Sequence, residues 1–288
     1  MSAVAALLAD GRLHLQHGPI DCLCRAWGKP AEVDAAYAQA AAAFADILAE
    51  LCVELPQLRR PPLPSLPPHG DIARAMHAAC MPFAGGFITP MAAVAGSVAD
   101  HVLATLLAGR QLDRCFVNNG GDIAFHLAPG TELVCGLIGD LANPTLDGHI
   151  RLRAEAKARG LATSGRACKG HGGRSFSRGI ADTVTVLASN AARADAAATV
   201  IANQVDLPGH PAIIRRSARS IDPDSDLGDI PITWELAALQ PWEVDGALDA
   251  GLVAANGLLA AGLIEGAVLA LRRRVAVCGA DTLMLEAA

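Results

Sequence analysis

Aromatic residues are scarce. Phe, Trp and Tyr together make up 3% of the 288 residues, so the core must be built from Ala, Val, Leu and Ile. Charge is also thin: Asp, Glu, Lys and Arg reach 18%, against about 25% in an ordinary globular chain. With 52% hydrophobic residues, a disordered chain is excluded, because enough apolar surface is available to offset the entropy of ordering. Only three lysines occur, Lys29, Lys157 and Lys169, and the formal net charge is -6. A nucleic-acid binder relies on a basic surface, so that class is excluded. The short clusters Arg215-Arg216 and Arg272-Arg273-Arg274 read as solvated turns or edges. The eight cysteines are irregularly spaced and contain no CxxC pair, which argues against a disulfide framework and for reduced thiols in a cytoplasmic protein. The opening MSAVAALLADGRLHLQHG lacks the basic n-region of a secretory signal. The stretch from Gly251 to Leu271 is broken by Asn256, Glu265 and three glycines. It predicts a buried helix followed by a strand, with no membrane span and no membrane partner. No GxxxxGK[ST] loop and no GxSxG elbow are present.

Periodicity and punctuation outline the elements. Arg12 to Trp27 reads as strand, ended by Gly28-Lys29-Pro30. A helix from Ala31 carries Tyr37, Ala40, Phe44, Ile47, Leu48 and Leu51 on one face and is expected to stop before Pro56. Residues 56–70 hold six prolines and predict an ordered wrap or a linker. Asp71 is placed to cap a short helix through His77 to Cys80, and Thr89-Pro90 to open a helix over Met91 to Leu107. Short strands follow at Arg114–Asn118, Ile123–Ala128, Leu133–Ile138, His149–Ala154, Leu161–Gly165 and Asp182–Ala188. A helix is expected over Ala191–Asn203, irregular chain from Asp206 to Pro231, a helix over Asp245–Ala261 and a closing hairpin over Ala267–Leu271 and Val275–Cys278. Hairpin-linked short strands predict an α+β fold, with mixed or antiparallel sheets packed against Ala-rich helices. Residues 1–288 read as a single domain or as two tightly packed subdomains, with the Pro-rich wrap at 56–70.

Three small-residue segments are placed to carry chemistry. In Asn119-Gly120-Gly121-Asp122, paired glycines let backbone N–H groups face a ligand and Asp122 supplies an acceptor; an ordinary hairpin turn explains the same residues. Thr163-Ser164-Gly165-Arg166 offers hydroxyls, a glycine and a guanidinium suited to a phosphate. The run that follows, Cys168 to Gly179, adds His171 and Arg174 among four glycines. Asp195 and Thr199 lie four apart on a helix and share a face, an oxygen pair suited to Mg2+. Helix capping by Asp195 and back-bonding by Thr199 explain that spacing equally well. Asp100-His101 with Ser97 one turn away reads as a core or interface group. The small face Ala93, Gly96 and Ser97 suits close packing, in the core or across a homodimer.

In this order the segments resemble the ApbE superfamily of FAD-dependent, Mg2+-dependent FMN transferases. The resemblance rests on Gly120-Gly121-Asp122, Thr163-Ser164-Gly165, Val184-Thr185-Val186 and Ala194 to Thr199. It implies an ApbE-like fold, with Mg2+ held by Asp195 and Thr199, helped by a backbone oxygen near Ala162 and by Asp182. The flavin or nucleotide would lie against residues 119–122, 163–166, His171 and Arg174. Over nearly its whole length the chain is similar to the UPF0280 branch, through Gly18-Pro19-Ile20-Asp21, Thr89 to Gly96, Asn119 to Asp122, Gly179 to Asp182 and Gly262 to Ala267. Two features depart from the transferases: Gly96 holds the place of a lysine, and no Asp-Pro precedes the Val-Thr-Val strand. The Mg2+ half therefore resembles the family while the flavin half is rebuilt, which leaves FAD open. The expected function is a Mg2+-dependent transferase or hydrolase acting on a flavin, another nucleotide or a phosphorylated ligand. The alternative is a non-catalytic binding protein for a small anionic metabolite.

Overall fold

The computed structural model describes residues 2–137, 148–166, 176–279 and 285–286. His171 and Arg174 lie outside the described residues. Contacts divide the chain into two compact units. The first comprises Met1–Leu133, Leu152–Ala162 and Ala188–Ala196; the second comprises Val134–Arg151, Thr163–Leu187 and Ala197–Ala288.

The first unit opens with strands β1 (Val4–Leu7), β2 (Leu13–His17) and β3 (Ile20–Gly28), then helices α1 (Pro30–Leu58) and α2 (Asp71–Cys80). A 3-10 turn (Pro90–Ala93) leads into α3 (Val94–Leu107), followed by β4 (Leu112–Asn119) and β5 (Asp122–Leu127). Strand β8 (Gly160–Ser164) pairs with β5 through Ile123–Leu161 and Ala124–Gly160. The sheet order is β1-β2-β3-β4-β5-β8, and each of these neighbours is antiparallel. Alternation puts Leu13 and Leu15 of β2, Cys22, Cys24 and Ala26 of β3, and Cys115 and Val117 of β4 into one core. Phe44 and Ile47 of α1, Met76 of α2, and Val98, Val102 and Leu106 of α3 fill it from the helices. Each such large side chain contributes about 1.5–3 kcal/mol on burial, which a core short of aromatics must gather from many aliphatic groups. The Tyr37 hydroxyl accepts from the Ala26 N–H at 3.0 Å and donates to the Gly11 carbonyl at 3.1 Å, tying α1 to β3.

The cysteines of this core behave as small hydrophobes. Burial pushes the Cys24 and Cys115 thiols up to about 12 and the Cys22 thiol higher still.

Helix α1 runs past Pro56, contrary to the expected stop. Proline at 56 removes only the hydrogen bond to the carbonyl of Cys52, an exposed residue whose carbonyl water can satisfy. Buried Leu58 holds the last turn in place. The proline-rich stretch is an ordered wrap rather than a linker. The Glu54 carboxylate accepts from the His69 and Gly70 N–H groups at 2.6 and 2.7 Å, and Gln57 Nε2 donates to the Leu66 carbonyl at 2.8 Å. Gly70, not Asp71, occupies the cap position of α2; Asp71 sits in its first turn and pairs with Arg74. By length and composition alone, α1 and the segment Pro90–Leu107 would pass for membrane spans, yet both direct apolar side chains into this core.

In the second unit, strands β9 (Thr183–Ala188), β12 (Gly266–Leu271) and β13 (Arg274–Cys278) form antiparallel neighbours in that order. All six residues of β9 and all six of β12 are buried. Helix α5 (Pro241–Ala260) packs on β12 and β13, with Gly251 against Val205 and Leu269. It starts earlier than expected because Gln240 and Glu243 form a capping box ahead of Pro241. The segment expected to be irregular contains an antiparallel ribbon, β10 (Ile213–Ser217) with β11 (Pro231–Leu236). Arg215 anchors it through two 2.6 Å bonds to Asp206. Strands β6 (Glu132–Leu137), β7 (Gly148–Arg153) and β14 (Leu285–Glu286) form a three-stranded sheet in the order β14-β7-β6. Every pairing given residue by residue is antiparallel, so the fold class is α+β, antiparallel sheets covered by helices. Helix α4 (Ala191–Gln204) follows β9, and Asn190 caps it by accepting the Arg193 N–H at 2.9 Å.

Candidate functional site

The Asn-Gly-Gly-Asp segment is first of all a two-residue hairpin. Asn119 faces Asp122 across the β4–β5 ladder, and Gly120 and Gly121 take φ of 65° and 111°, which only glycine adopts without strain. Asn118 Oδ1 accepts the Gly121 N–H at 2.8 Å. The glycines are thus required by the turn, while the flanking Asn119 and Asp122 are buried. Asn119 Nδ2 donates to the Ala95 carbonyl at 3.1 Å, fixing the first turn of α3.

That turn is where the acidic groups converge. The first N–H groups of a helix have no partner within it. Here Asp195 of α4 accepts from the Gly96 N–H at 3.0 Å and from Ala95, both in the first turn of α3. Reciprocally, Asp100 of α3 accepts from the Ala191 and Ala192 N–H groups at 3.0 and 2.9 Å, in the first turn of α4. Each helix is capped by an aspartate of the other. Neither helix dipole nor hydrogen bonding fully compensates for loss of water. Desolvation, then the charge of Asp122, raises the Asp195 carboxyl well above the usual carboxylate range, and Asp100 adds to the repulsion. Asp100 itself is pushed up to about 6 by burial, against the pull of its two N–H donors.

A raised carboxyl holds its proton more tightly folded than unfolded. The contribution of Asp100 is therefore full below pH 3.8 and is lost as pH rises through about 6, a change of about 3 kcal/mol. Urea midpoints measured from pH 4 to pH 7 should fall less steeply in Asp100→Asn than in the wild type. Parallel curves would refute this assignment.

Helices α3 and α4 approach at backbone distance. A Cβ on Gly96 would lie 2.3 Å from the Ala191 carbonyl oxygen. Ala93, Gly96 and Ser97 are all buried within this unit, so the small-residue face offered for a dimer is consumed inside the chain. Among the described residues Ser97 Oγ has no hydrogen-bond partner, so it makes no hydrogen bond to His101.

In the second unit, Thr163 Oγ1 and Thr185 Oγ1 share a hydrogen bond of 2.9 Å. Gly165 takes φ 133°, and a Cβ there would lie 2.5 Å from the Asp182 carbonyl oxygen. The Arg166 N–H donates to the Ala181 carbonyl at 2.9 Å, so the loop end is pinned to the entry of β9. The Asp182 carboxylate accepts the Arg272 N–H at 2.6 Å. Among the described residues, no group of three or more His, Cys, Asp or Glu side chains is placed to hold a metal ion.

A family model described as AbpE bacteria matches residues 5–279. The chain belongs to this family. Curated relatives are UPF0280 proteins: one from Methanopyrus kandleri is 36% identical over 152 residues, covering 53% of this chain and 56% of that protein. Another, from Methanobrevibacter smithii, is 38% identical over 119 residues, covering 41% and 46%. A third, from Methanospirillum hungatei, is 32% identical over 166 residues, covering 57% and 63%. The chain spans about half the length of the curated relatives it matches. It thus falls in the UPF0280 group of the ApbE-like superfamily. Among solved structures, the apo form of the flavinyl transferase ApbE from Pseudomonas stutzeri is similar over 98% of this chain and 97% of that one, with 12% identity and a TM-score of 0.44. The ApbE protein from Thermotoga maritima covers 42% of each chain, with 22% identity and a TM-score of 0.33.

Within this ApbE-like chain, the structure brings Asp195 together with Asp122, Asp100 and, through Ala95, Asn119. Thr199 follows one turn later on α4, half-buried. Its side chain makes no hydrogen bond among the described residues, so the back-bond to its own helix is not made. Ala162 is fully buried in β8. The Asp182 carboxylate is engaged by the Arg272 N–H. The link between Asp100 and α4 was invisible in the sequence, where Asp100 reads as a neighbour of His101. The place of the lysine, at Gly96, is closed to any side chain by α4 itself.

Proposed function

We propose that the chain is a Mg2+-dependent transferase or hydrolase acting on a flavin or another phosphorylated ligand. One observation carries this reading: the charge of buried Asp122 acts on half-buried Asp195, which also caps α3, and together with loss of water it raises the Asp195 carboxyl above the usual carboxylate range. A cation relieves that repulsion. Mg2+ is commonly held by one or two carboxylates, with substrate phosphates and water completing its shell; Asp100 is spent on the Ala191 and Ala192 N–H groups, so Asp195 and Asp122 are the two that suit the ion and leave room for a ligand. Asp195 and Asp122 would hold it, with Thr199 one turn along α4. When bound, Mg2+ supplies charge neutralisation at a cleaving phosphate bond. The chain's own residues keep the acceptors in place: Ala95 and Gly96 orient Asp195, and Asn119 orients Ala95.

The second reading, a binding protein for a small anionic metabolite, is favoured by Ser97 Oγ, which is buried and has no hydrogen-bond partner among the described residues. Purified protein incubated with FAD, and separately with other nucleoside diphosphates, separates the two. Metal-dependent release of AMP or phosphate, lost in EDTA, is the expected result. Attachment of FMN to a Ser- or Thr-containing peptide would place flavin as the ligand. A stoichiometric metabolite seen in native mass spectrometry, with no turnover of any diphosphate, supports the binding protein instead.

A further inference from the structure

The β4–β5 pair has a second end. Asn119 and Asp122 close it at the hairpin. Leu112 and Asp113 lie at the start of β4, about 20 Å away at the rise of a strand, about 3.3 Å per residue. There the chain leaves a cleft of about 780 Å3, large enough for a small molecule. Arg110, Lys29, His126 and Asp113 line it, with Leu107 and Leu112 as apolar wall. All of these residues belong to the first unit.

Arg110 is half-buried in that wall. Its Nε is shut away from solvent and has no hydrogen-bond partner. Among the described residues the guanidinium makes no hydrogen bond at all. Two ordinary duties for such an arginine are taken by other groups. Glu32 gives Oε2 to the Gln111 N–H at 2.9 Å and keeps Oε1 3.9 Å from Arg110 Nη1, too far for a hydrogen bond. The carbonyls of Thr105, Leu106 and Ala108 at the end of α3 accept from Gln39 Nε2. Arg110 thus has neither a helix end to cap nor a carboxylate in contact, and an arginine cannot escape desolvation by losing its proton. The Lys29 ammonium and the Asp113 carboxylate are exposed, and neither has a partner among the described residues. Burial, then the charge of Arg159, lowers the His126 pKa, so its ring is neutral at pH 7 and can donate one hydrogen bond.

The backbone builds this wall. Trp27 faces Arg114 and Gly28 faces Leu112, so Asp113 is the extra residue of a bulge, a device that re-aims side chains. A Cβ on Gly28 would lie 3.2 Å from the Gln111 carbonyl oxygen; a bare glycine lets β3 lie against the backbone that follows Arg110. Gly109 turns the chain out of α3 with φ 68°, and the Arg110 N–H donates to the Leu107 carbonyl at 3.0 Å. A guanidinium fixed at its base and unsatisfied at its tip matches the demand of an oxyanion for charge-assisted hydrogen bonds.

We propose that this cleft binds the oxyanion of a small metabolite, carboxylate or phosphate, with Arg110 as the principal contact and Lys29 and His126 as further donors. The site shares no residue with the Asp195–Asp122 pair and needs no metal.

The test uses the full chain in EDTA at pH 7 and fixed ionic strength, titrated calorimetrically with inorganic phosphate and, in a parallel arm, with succinate. The wild type should bind at least one of them, and the tighter of the two names the oxyanion. Arg110→Gln should weaken that binding roughly 10- to 100-fold, the loss expected for charge-assisted hydrogen bonds. Lys29→Gln should weaken it roughly 2- to 5-fold, as for an exposed charge. Lys157→Gln removes the same charge from an exposed position of the same unit outside the cleft and should leave the isotherm unchanged. If Arg110→Gln fails to fold, Lys29→Gln at its exposed position decides against Lys157→Gln. Absence of binding by both anions, isotherms unchanged in Arg110→Gln and Lys29→Gln, or an equal loss in Lys157→Gln overturns the proposal.

Discussion

Gly96→Ala is expected to be strongly destabilising for the addition of a single methyl group. The added Cβ would sit 2.3 Å from the Ala191 carbonyl oxygen and 2.5 Å from its carbonyl carbon, and backbone atoms in a helix cannot swing aside as a side-chain end can. Separating α3 from α4 would loosen both reciprocal caps, Asp195 on Gly96 and Asp100 on Ala191 and Ala192. Overpacking costs about 1–3 kcal/mol, and each lost cap about 1 kcal/mol more. A loss of about 3 kcal/mol or more is expected in urea unfolding, with soluble expression falling accordingly. A Gly96→Ala protein within about 1 kcal/mol of wild type would show that the helices have room to part. Lysine at this position should fail for the same reason, because α4 leaves no room for any side chain there.

Asp195→Asn is expected to separate metal binding from stability. The variant loses one of two oxygen acceptors for the first turn of α3, a cost of about 1 kcal/mol. It also loses a charge that burial and the nearby charge of Asp122 disfavour, a gain of similar size. Apo stability at pH 7 should therefore stay within about 1 kcal/mol of wild type. The response to Mg2+ should not: at a concentration 100 times the dissociation constant, a bound ion adds about 2.7 kcal/mol, and the variant should show none of it. Because the Asp195 pKa is raised, protons compete with the ion, and Mg2+-dependent stabilisation of the wild type should fade as pH is lowered. Melting curves with and without MgCl2, at several pH values, check both statements. An equal Mg2+ response in the two proteins would remove Asp195 from the metal site.

The positions of most elements were legible because they depend on local chemistry. The spacing of Tyr37, Ala40, Phe44, Ile47 and Leu51 defines the buried face of α1 whatever it packs against. Asn190 caps α4 through a hydrogen bond three residues long, and Gly120-Gly121 close a hairpin by their own φ values. Local rules misled at Pro56, where the cost of a missing donor depends on whether water can reach Cys52 and on the burial of Leu58. They also missed the β10–β11 ribbon, whose short strands are held by Arg215 reaching back to Asp206.

Composition alone determined that this chain folds on small aliphatic side chains, since that follows from what a residue is and not from where it sits. Motif order was enough to name Asp195 and Asp122 as polar groups worth following. What each of them does was decided only by tertiary structure. Asp195 is 99 residues from Gly96 and Asp100 is 91 from Ala191; the cost of their charges is set by water excluded when the helices meet.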